Sequence, residues 1–366
     1  MKIAIVGAAG FIGTRLIEHF HLAKEPSVTL TALVRRPEGL ALPARFAIET
    51  CVADPLDIDT MARAFSGCTA VVHCATGDIA QLERMPAALC LAASAAGVRR
   101  AIYLSSASVH GAHPRHGTDE RSALDPGDAS PDDAARIRAE QKFFAECQRH
   151  SLVGFALRPA VVYGPRSRWI SELAADLVAG RAWLYEGGRG VFNGIYVDNL
   201  VAAIASCLHA ADDDAGAYLV SDDEPATWEQ FLRAAATQLD VPFASIHQLS
   251  QLPEFKPSLQ DRAGRAAAHP FVQRLLPLVP YGLKRSAKAA IAAASAPERR
   301  DSWAMPGGPA PRITPEMARL QQATWKFPHA RADQRLDYRP VVGFAEAIER
   351  SFAWWRFARG EYSFAA

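Results

Sequence analysis

Apolar runs and amphipathic stretches alternate along the first half of the chain, at spacings that fit strands and helices in turn. The predicted strands are Lys2–Val6, Val28–Val34, Phe46–Val52, Ala70–Cys74, Ala101–Ser105 and Gly154–Leu157. The predicted helices between them are Phe11–Phe20, Ile58–Phe65, Gln81–Ala96 and Asp132–His150. This alternation predicts an α/β fold built on a doubly wound parallel sheet with helices on both faces. Ligands of such sheets bind at the carboxyl ends of the strands.

Three glycines, Gly7, Gly10 and Gly13, occupy the turn between the first strand and the first helix. A glycine turn lets the backbone approach a phosphate, and the free N–H groups of the first helical turn, at Phe11 and Ile12, bind the anion. The apolar strand before the turn and the amphipathic helix after it are the context that such a site requires. The motif predicts a Rossmann-type pyrophosphate site, and the alternative is a plain tight turn.

Arg35 and Arg36 follow the second strand, and Arg35 lies 22 positions after Gly13. At about this distance, dinucleotide sites place an acid for the 2′-hydroxyl of NAD or an arginine for the 2′-phosphate of NADP. Here the position holds arginine, and two guanidiniums suit a dianionic phosphate. We therefore predict NADP(H) rather than NAD(H) as the cofactor. The alternative is a pair of arginines that only solvates the end of the strand.

Composition narrows the class of protein. The 366 residues are 49% hydrophobic and 22% charged, as in ordinary globular proteins, and the net charge of +1 disfavours a nucleic-acid surface. The six cysteines form no Cys-x-x-Cys pair and no grouping with histidine, which predicts reduced core residues and no metal site. The first strand begins at Lys2 and no apolar stretch is long enough to span a bilayer, so we expect a cytoplasmic protein.

Seven motifs of different types follow one another in a fixed order. They are Val6–Gly13, Ala53–Asp57, Val71–Thr76, Tyr103–Gly111, Leu157–Pro165, Ile195–Leu200 and Leu336–Pro340. In these motifs the chain resembles the extended short-chain dehydrogenase/reductase family, which includes NAD(P)-dependent sugar epimerases and dehydratases. The resemblance runs from residue 1 to about 240 and from about 330 to about 356.

The resemblance implies cofactor contacts at the matching positions, in addition to the glycine turn and the arginines. These are Asp54, Pro55 and Leu56 at the adenine, Cys74, Ala75 and Thr76 along the ribose and phosphates, Ser105 beside the cofactor, and Pro159 and Val161 at the nicotinamide. Ser106 falls on the catalytic hydroxyl position, where it would hydrogen-bond the substrate. In the alternative, Asp54 only starts a turn, and the two serines only satisfy the end of their strand.

The chain departs from the family at the acid/base pair. The family carries Tyr-x-x-x-Lys on the helix after the fifth strand, whereas this chain has Asp132 and Arg136 at those positions. An arginine can still hold ribose hydroxyls, but it is a permanent cation and cannot tune a neighbour by titrating. An aspartate, unless buried, is too acidic to protonate an alkoxide at neutral pH, although it could act as a base.

A histidine-rich loop offers a replacement proton donor. His110 stands where the family has the tyrosine of a Val-Tyr-Gly motif, and His113 and His116 follow it. Because histidine titrates near neutral pH, we predict that His110 supplies the proton. The alternative is a solvated loop with incidental histidines. Without a set of carboxylates, the three histidines do not specify a metal site.

The second half of the chain is predicted to form a smaller, mostly helical C-terminal lobe that binds the substrate. Four residues are candidates for substrate contact: Arg166, Arg168, Asn193 and Tyr196. The predicted domains are a cofactor-binding domain at 1–165, to which 191–221 returns, and a substrate lobe at 166–190 and 222–366. The lobe includes an atypical insertion at about 250–325, whose apolar run at 271–291 we interpret as a packed cap, with a membrane surface contact as the alternative.

Three functions remain open. The first is an NADP(H)-dependent oxidoreductase or epimerase with a non-standard proton donor, acting on a small polar or nucleotide-sugar-like molecule. The second is a redox-neutral lyase, isomerase or cyclase on the same scaffold. The third is a non-catalytic NADP(H) sensor or scaffold. The family's frequent homodimers suggest a second copy of the chain as a partner.

Overall fold

The computed structural model describes residues 1–23, 28–125, 131–255 and 309–360. Residues Met1–Ser250 and Pro311–Ala366 form one compact unit. Gln251–Ala310 form another, of which only 251–255 and 309–310 are described. The run at 271–291, and most of the predicted insertion, therefore lie outside the described residues.

Eleven strands lie in the described residues of the first unit. They are β1 Lys2–Val6, β2 Thr29–Val34, β3 Glu49–Val52, β4 Ala70–His73, β5 Arg100–Leu104, β6 Val153–Pro159, β7 Val161–Tyr163, β8 Trp183–Tyr185, β9 Gly194–Tyr196, β10 Gly216–Val220 and β11 His247–Leu249. Seven of them form a parallel sheet with the order β10-β6-β5-β4-β1-β2-β3. Two further parallel pairs, β7 with β9 and β8 with β11, lie outside this sheet.

The helices of the described residues alternate with these strands and then predominate. They are α1 Phe11–Ala23, α2 Ile58–Ala64, α3 Ile79–Ala95, α4 Pro131–Arg149, α5 Arg168–Val178, α6 Val197–His209, α7 Trp228–Gln238, α8 Pro315–Leu320, α9 Ala330–Leu336 and α10 Phe344–Ala358. Asp57 and Asp78 cap the starts of α2 and α3 by accepting hydrogen bonds from backbone N–H groups.

Successive residues of β1 point to opposite faces of the sheet, as the two-residue period of a strand requires. Ile3 and Ile5 belong to a core that includes residues of α1 and α6. Ala4 and Val6 belong to another core, with residues of α2, α3 and α4. Helices therefore cover both faces, and the predicted doubly wound parallel α/β fold is confirmed.

A third core lies beside the sheet and is rich in aromatic side chains. It joins α5, α7 and α10, and its buried members include Tyr163, Trp228, Phe231 and Phe352. This mostly helical region agrees with the predicted smaller C-terminal lobe. The domain limits proposed from the sequence stay a prediction.

The strand predicted at Phe46–Val52 is shorter in the structure and begins at Glu49. Phe46 instead turns toward α1, where its ring lies edge-on to His21 with 4.9 Å between ring centroids. All six cysteines are free thiols, and four of them are buried. Among the described residues, no helix is both long enough and apolar enough to cross a bilayer.

Candidate active site

The glycine turn brings the ends of β1 and β4 into close contact. Gly7 has a φ of +86°, and a Cβ on it would lie 2.7 Å from the backbone nitrogen of Ala75. A Cβ on Gly13 would collide with the carbonyl oxygen of Gly7. Gly10 donates its N–H to the Gly7 carbonyl at 2.9 Å, and α1 then begins at Phe11. The first N–H groups of α1 have no acceptor within the helix, so the turn can cradle a phosphate.

Arg35 and Arg36 lie directly after β2, and both side chains are exposed. Neither guanidinium forms an ion pair with a described residue. Their strand is the sheet neighbour of β1, so they lie on the same carboxyl edge as the glycine turn. Both arginines are therefore available for an anionic group of a dinucleotide bound at that edge.

The residues expected at the adenine and ribose follow β3 and β4. Asp54 is exposed, and its Oδ1 accepts a hydrogen bond from Leu56 N at 2.8 Å, which leaves Oδ2 available to another donor. Pro55 beside it is buried. Cys74 donates its N–H to Val6 at 2.8 Å, and burial raises the pKa of its thiol to about 12, so the thiol stays protonated at neutral pH.

A cavity of about 480 Å³ opens where β5 and β6 end. Six of the residues that the sequence proposed for the site line it: Ser106, Asp132, Arg136, Pro159, Val161 and Asn193. Apolar groups from Ala107, Ala160 and Val162 lie between them. The structure thus brings together groups from four segments that are distant in sequence.

Ser105 and Ser106 follow β5 directly but differ in their surroundings. Ser105 is buried, and its Oγ donates to Glu140 at 2.5 Å. Ser106 is half-buried in the cavity wall, and its Oγ accepts the N–H of Ser108 at 3.2 Å. The hydroxyl hydrogen of Ser106 is therefore free to bond with a substrate oxygen.

Asp132 and Arg136 lie one turn apart at the start of α4, and both line the cavity. A carboxylate is favourable at this end of a helix because it interacts with the positive end of the helix dipole. Among the described lining residues there is no tyrosine, lysine or histidine.

The tyrosines nearest in sequence do not replace the missing one. Tyr103 is buried on β5 under a stacked Phe143, and burial raises its pKa to about 12. Tyr163 is fully buried and donates its hydroxyl hydrogen to Asp222 at 2.8 Å. Neither lines the cavity.

The structure does not support His110 as the proton donor. Its ring is buried, and its Nε2 lies 3.0 Å from Nη1 of Arg158, which also pairs with Glu140. Burial lowers the pKa of His110, and the positive charge of Arg158 lowers it further. His113 and His116 are exposed and do not line the cavity either. The proton-donor role of His110 therefore stays an untested prediction, and the position of a histidine in a motif does not show which way its ring turns.

The structure places the four candidates for substrate contact in different surroundings. Asn193 lines the cavity, but its side-chain amide is already hydrogen-bonded to the backbone of Trp325 and Phe327 on the opposite wall. Tyr196 is buried in the aromatic core with its ring 5.7 Å from that of Tyr163, so it does not face the cavity. Arg168 is exposed and pairs with Glu172 at 3.0 Å beside a neighbouring cavity. Arg166 lines neither cavity and has a φ of +70°.

One wall of the cavity was not foreseen from the sequence. It consists of Trp169, Trp228, Arg319 and Phe327, from α5, α7, α8 and the segment that follows α8. These positions carry no contiguous motif. A tryptophan at the start of each of two helices was the only sequence feature that could have suggested them.

A family model described as the NAD dependent epimerase/dehydratase family matches residues 3–220, more than half of the chain. The chain is 30% identical over 260 residues to a 3-diazoavenalumate denitrifying reductase of a Streptomyces species, covering 66% of this chain and 83% of that protein. It is 26% identical over 272 residues to a 3beta-hydroxysteroid-dehydrogenase/decarboxylase of Arabidopsis thaliana, of which it spans only 53%.

Solved structures of low sequence identity share the fold. The UDP-glucuronic acid 4-epimerase of Bacillus cereus, in complex with UDP-glucuronic acid and NAD, has a TM-score of 0.68 at 15% identity, covering 98% of this chain and 100% of that one. The dTDP-glucose 4,6-dehydratase of Streptomyces venezuelae, with NAD bound, has a TM-score of 0.68 at 19% identity and 99% coverage of both chains. With the family model matched over residues 3–220, the chain belongs to the NAD-dependent epimerase/dehydratase family.

Proposed function

We propose that this protein is an NADP(H)-dependent reductase of a small molecule that transfers hydride without the family's tyrosine and lysine. One observation carries the proposal. The glycine turn is intact, and the cavity on the same sheet edge presents Ser106, Asp132 and Arg136 with no tyrosine or lysine among its described lining residues.

The residues of the turn suit a dinucleotide. A Cβ on Gly7 or Gly13 would collide with the backbone of Ala75 or of Gly7, so these glycines permit the tight turn and the close packing of helix on strand that a dinucleotide site requires. In this proposal Arg136 binds the ribose hydroxyls, and Arg35 and Arg36 bind the 2′-phosphate of NADP(H). When bound, the reduced dinucleotide supplies a hydride to the substrate.

The preference for NADP(H) over NAD(H) rests on charge. Arg35 and Arg36 are exposed and form no ion pair with a described residue, and a guanidinium binds a phosphate dianion by two parallel, charge-assisted hydrogen bonds. The two similar structures contain NAD. The preference proposed here is therefore a property in which this chain differs from them.

The missing tyrosine restricts the hydride acceptor. Addition of hydride to a carbonyl carbon leaves an alkoxide, which a nearby acid has to protonate. A carboxylate at the family's tyrosine position only accepts hydrogen bonds, so it can orient a hydroxyl or take its proton but cannot protonate the alkoxide. The cavity therefore suits an acceptor that needs no proton in the hydride step.

A diazonium carbon is such an acceptor. The electron pair of the hydride forms the new C–H bond, the C–N bond breaks, and both of its electrons leave with dinitrogen, so atoms and charge balance without a proton. The name of the 30% identical relative describes a denitrifying reductase of a diazo compound. We propose an acceptor of this electron-poor kind for this chain, with Ser106 bonded to an oxygen of the substrate.

A nucleotide-sugar epimerase or dehydratase is the second candidate. It is favoured by the two similar structures, which are a UDP-glucuronic acid 4-epimerase and a dTDP-glucose 4,6-dehydratase. A redox-neutral reaction and a non-catalytic NADP(H)-binding role are the remaining alternatives.

The test is an acceptor comparison with the purified protein. NADPH oxidation is followed with benzenediazonium, acetophenone and UDP-glucose as separate substrates, and NADPH and NADH binding is titrated by fluorescence. Reactions without protein and with Gly7→Ala, checked for folding by circular dichroism, give the uncatalysed rate. We expect NADPH-selective binding and oxidation with the diazonium only. Oxidation with acetophenone, or conversion of UDP-glucose without net oxidation, would instead support the other candidates.

A further inference from the structure

We propose that the cavity binds an aromatic carboxylate, with its ring against Trp169, Trp228 and Phe327 and its carboxylate on Arg319. The inference rests on the proposed function for the identification of the cavity as the substrate site. It adds the chemical class of the substrate, which that function leaves open.

The aromatic side chains are held in place by hydrogen bonds and ring contacts. Trp228 is buried, and its Nε1 donates to the carbonyl of Leu320 at 3.0 Å. Trp169 lies against it with 6.0 Å between ring centroids. Phe327 is buried as well, with its N–H bonded to Asn193 at 2.9 Å. Fixed aromatic walls favour a planar ring because they offer stacking and edge contacts at little cost in conformational entropy.

Arg319 supplies a positive charge on the same wall. It lies on α8, whose start is fixed by Thr314 accepting the N–H of Met317 at 3.2 Å. Its side chain is half-buried and forms no ion pair or hydrogen bond with a described residue. A partly desolvated guanidinium without a counter-ion is unfavourable, and a carboxylate can bind it with two parallel hydrogen bonds.

Three carboxylates also line the cavity, but they do not neutralise Arg319. Asp132 and Asp133 lie at the start of α4, on the same helix as Arg136. Glu316 lies one turn before Arg319, is exposed to solvent and forms no ion pair with it. Arg136 is assigned to the cofactor, so Arg319 is the cation left for the substrate. Glu316 should weaken anion binding by repulsion.

The neighbouring cavity argues against a nucleoside diphosphate. This space of about 230 Å³ shares Trp169 and Trp228 with the first cavity, and three of its lining residues are arginines. Each of the three already has a carboxylate partner, in the pairs Arg168–Glu172 at 3.0 Å, Arg181–Asp176 at 3.0 Å and Arg312–Asp176 at 3.5 Å. A diphosphate would have to displace these carboxylates, whereas a single carboxylate needs only Arg319.

The test measures binding, which does not depend on turnover. Isothermal titration of the full chain uses four probes: cinnamate, its methyl ester, cyclohexanepropionate and UDP-glucose. Each is titrated with and without NADPH into the wild type, Arg319→Met, Arg319→Lys, Glu316→Gln and the matched control Arg339→Met. Arg339 is exposed, pairs with Asp333 at 3.5 Å and does not line the cavity.

We expect cinnamate to bind the wild type about tenfold or more tightly than its ester or the saturated acid, because each lacks one of the two recognised groups. Arg319→Met should lose about tenfold in cinnamate affinity, and Arg319→Lys should lose less. Glu316→Gln should bind cinnamate more tightly than the wild type, and the affinity of Arg339→Met should be unchanged.

Equal binding of ester and acid, or wild-type affinity in folded Arg319→Met, would overturn the proposal. So would tighter binding of UDP-glucose than of cinnamate, or no binding of any probe. If cinnamate binds through Arg319 while no acceptor oxidises NADPH, the proposed reductase fails and the aromatic carboxylate site stands.

Discussion

Nη1 of Arg158 donates a hydrogen bond to Nε2 of His110 at 3.0 Å, inside a network that also contains the ion pair of Arg158 with Glu140. A guanidinium has no acceptor, so His110 accepts at Nε2 and carries its own proton on Nδ1. The imidazole is thus a buried acceptor for a permanent cation. Its surroundings indicate a role in holding the turn after β5.

His110→Ala should therefore destabilise the fold by about 1–3 kcal/mol, because a buried donor of Arg158 loses its acceptor. Turnover per folded molecule should remain. Urea unfolding and activity measured on the same preparation check this, with His116→Ala on the exposed loop as the control. An inactive His110→Ala protein of wild-type stability would restore His110 as the proton donor.

Stability should fall as the solution is acidified from neutral pH. Burial lowers the pKa of His73 to about 4, and it lowers the pKa of His110 too. Unfolded histidine titrates near pH 6.5, so between about pH 6.5 and about pH 4 the unfolded chain binds protons that the folded chain does not. The free energy of unfolding should therefore decrease over this window.

His73→Leu provides the comparison for this pH dependence. Neither ring nitrogen of His73 has a hydrogen-bond partner in the described structure, so an apolar residue of similar size should fit and should flatten the pH dependence. Asp222 acts in the opposite sense, because burial raises its pKa. The test therefore compares the pH dependence of the unfolding free energy in His73→Leu and in the wild type, because Asp222 is present in both proteins. Parallel pH curves for the two proteins would show that His73 does not contribute.

Arg35→Asp should reverse the cofactor preference. It removes a charge-assisted contact to the 2′-phosphate, worth roughly 1.5–3 kcal/mol or about tenfold to a hundredfold in affinity, and places a carboxylate where NADH offers a hydroxyl. Fluorescence titration with both dinucleotides measures the ratio. Arg45→Asp makes the same charge change at an exposed site nearby. An unchanged ratio in Arg35→Asp would remove Arg35 from the 2′-phosphate site.

The double variant Asp132→Tyr, Arg136→Lys should gain ketone reduction. It places a phenol and a lysine at the family's acid/base positions, on residues that already line the cavity, and so provides an acid for an alkoxide. Acetophenone reduction, followed by NADPH oxidation, measures the gain. Adding Ser106→Ala to the double variant should reduce it again. A folded, NADPH-binding double variant with no ketone activity would show that the tyrosine is not what limits the acceptor.

Asn199→Ala should be among the more damaging single changes outside the cavity. Asn199 is fully buried, and its amide donates to Asp222 at 2.7 Å and to Val342 at 2.9 Å while accepting the N–H groups of Val341 and Val342. We expect a loss of about 2–4 kcal/mol in unfolding free energy, because several buried groups lose their partners together. Asn193→Ala should cost less in the same urea measurement, because the amide of Asn193 makes only two hydrogen bonds, both to backbone.

The glycine turn and the strand before it were predictable because their determinants are local. Gly7, Gly10 and Gly13 lie within one turn, and the strand before them has the bounds read from its apolar run. The end of β3 was also predicted correctly. Its start was not, because Phe46 packs sideways against α1 and a single sequence does not show this contact.

The opposite wall of the cavity could not be predicted in the same way. Asn193 bonds to Phe327 across 134 positions of sequence, and Trp228 bonds to Leu320 across 92. Such contacts follow from tertiary packing and leave no periodic pattern in the chain. Tyr196 illustrates the same limit, because its motif was recognised while its burial in the aromatic core was not.

The segment that forms this wall is attached through its own backbone. The carbonyls of Leu320, Ala323 and Trp325 each accept a hydrogen bond from Trp228, Val191 and Asn193 respectively, and the N–H of Phe327 donates to Asn193. Its side chains can therefore change by mutation while its path is preserved. During evolution, new substrate preferences could arise in this stretch without disturbing the glycine turn, which is encoded more than three hundred codons earlier.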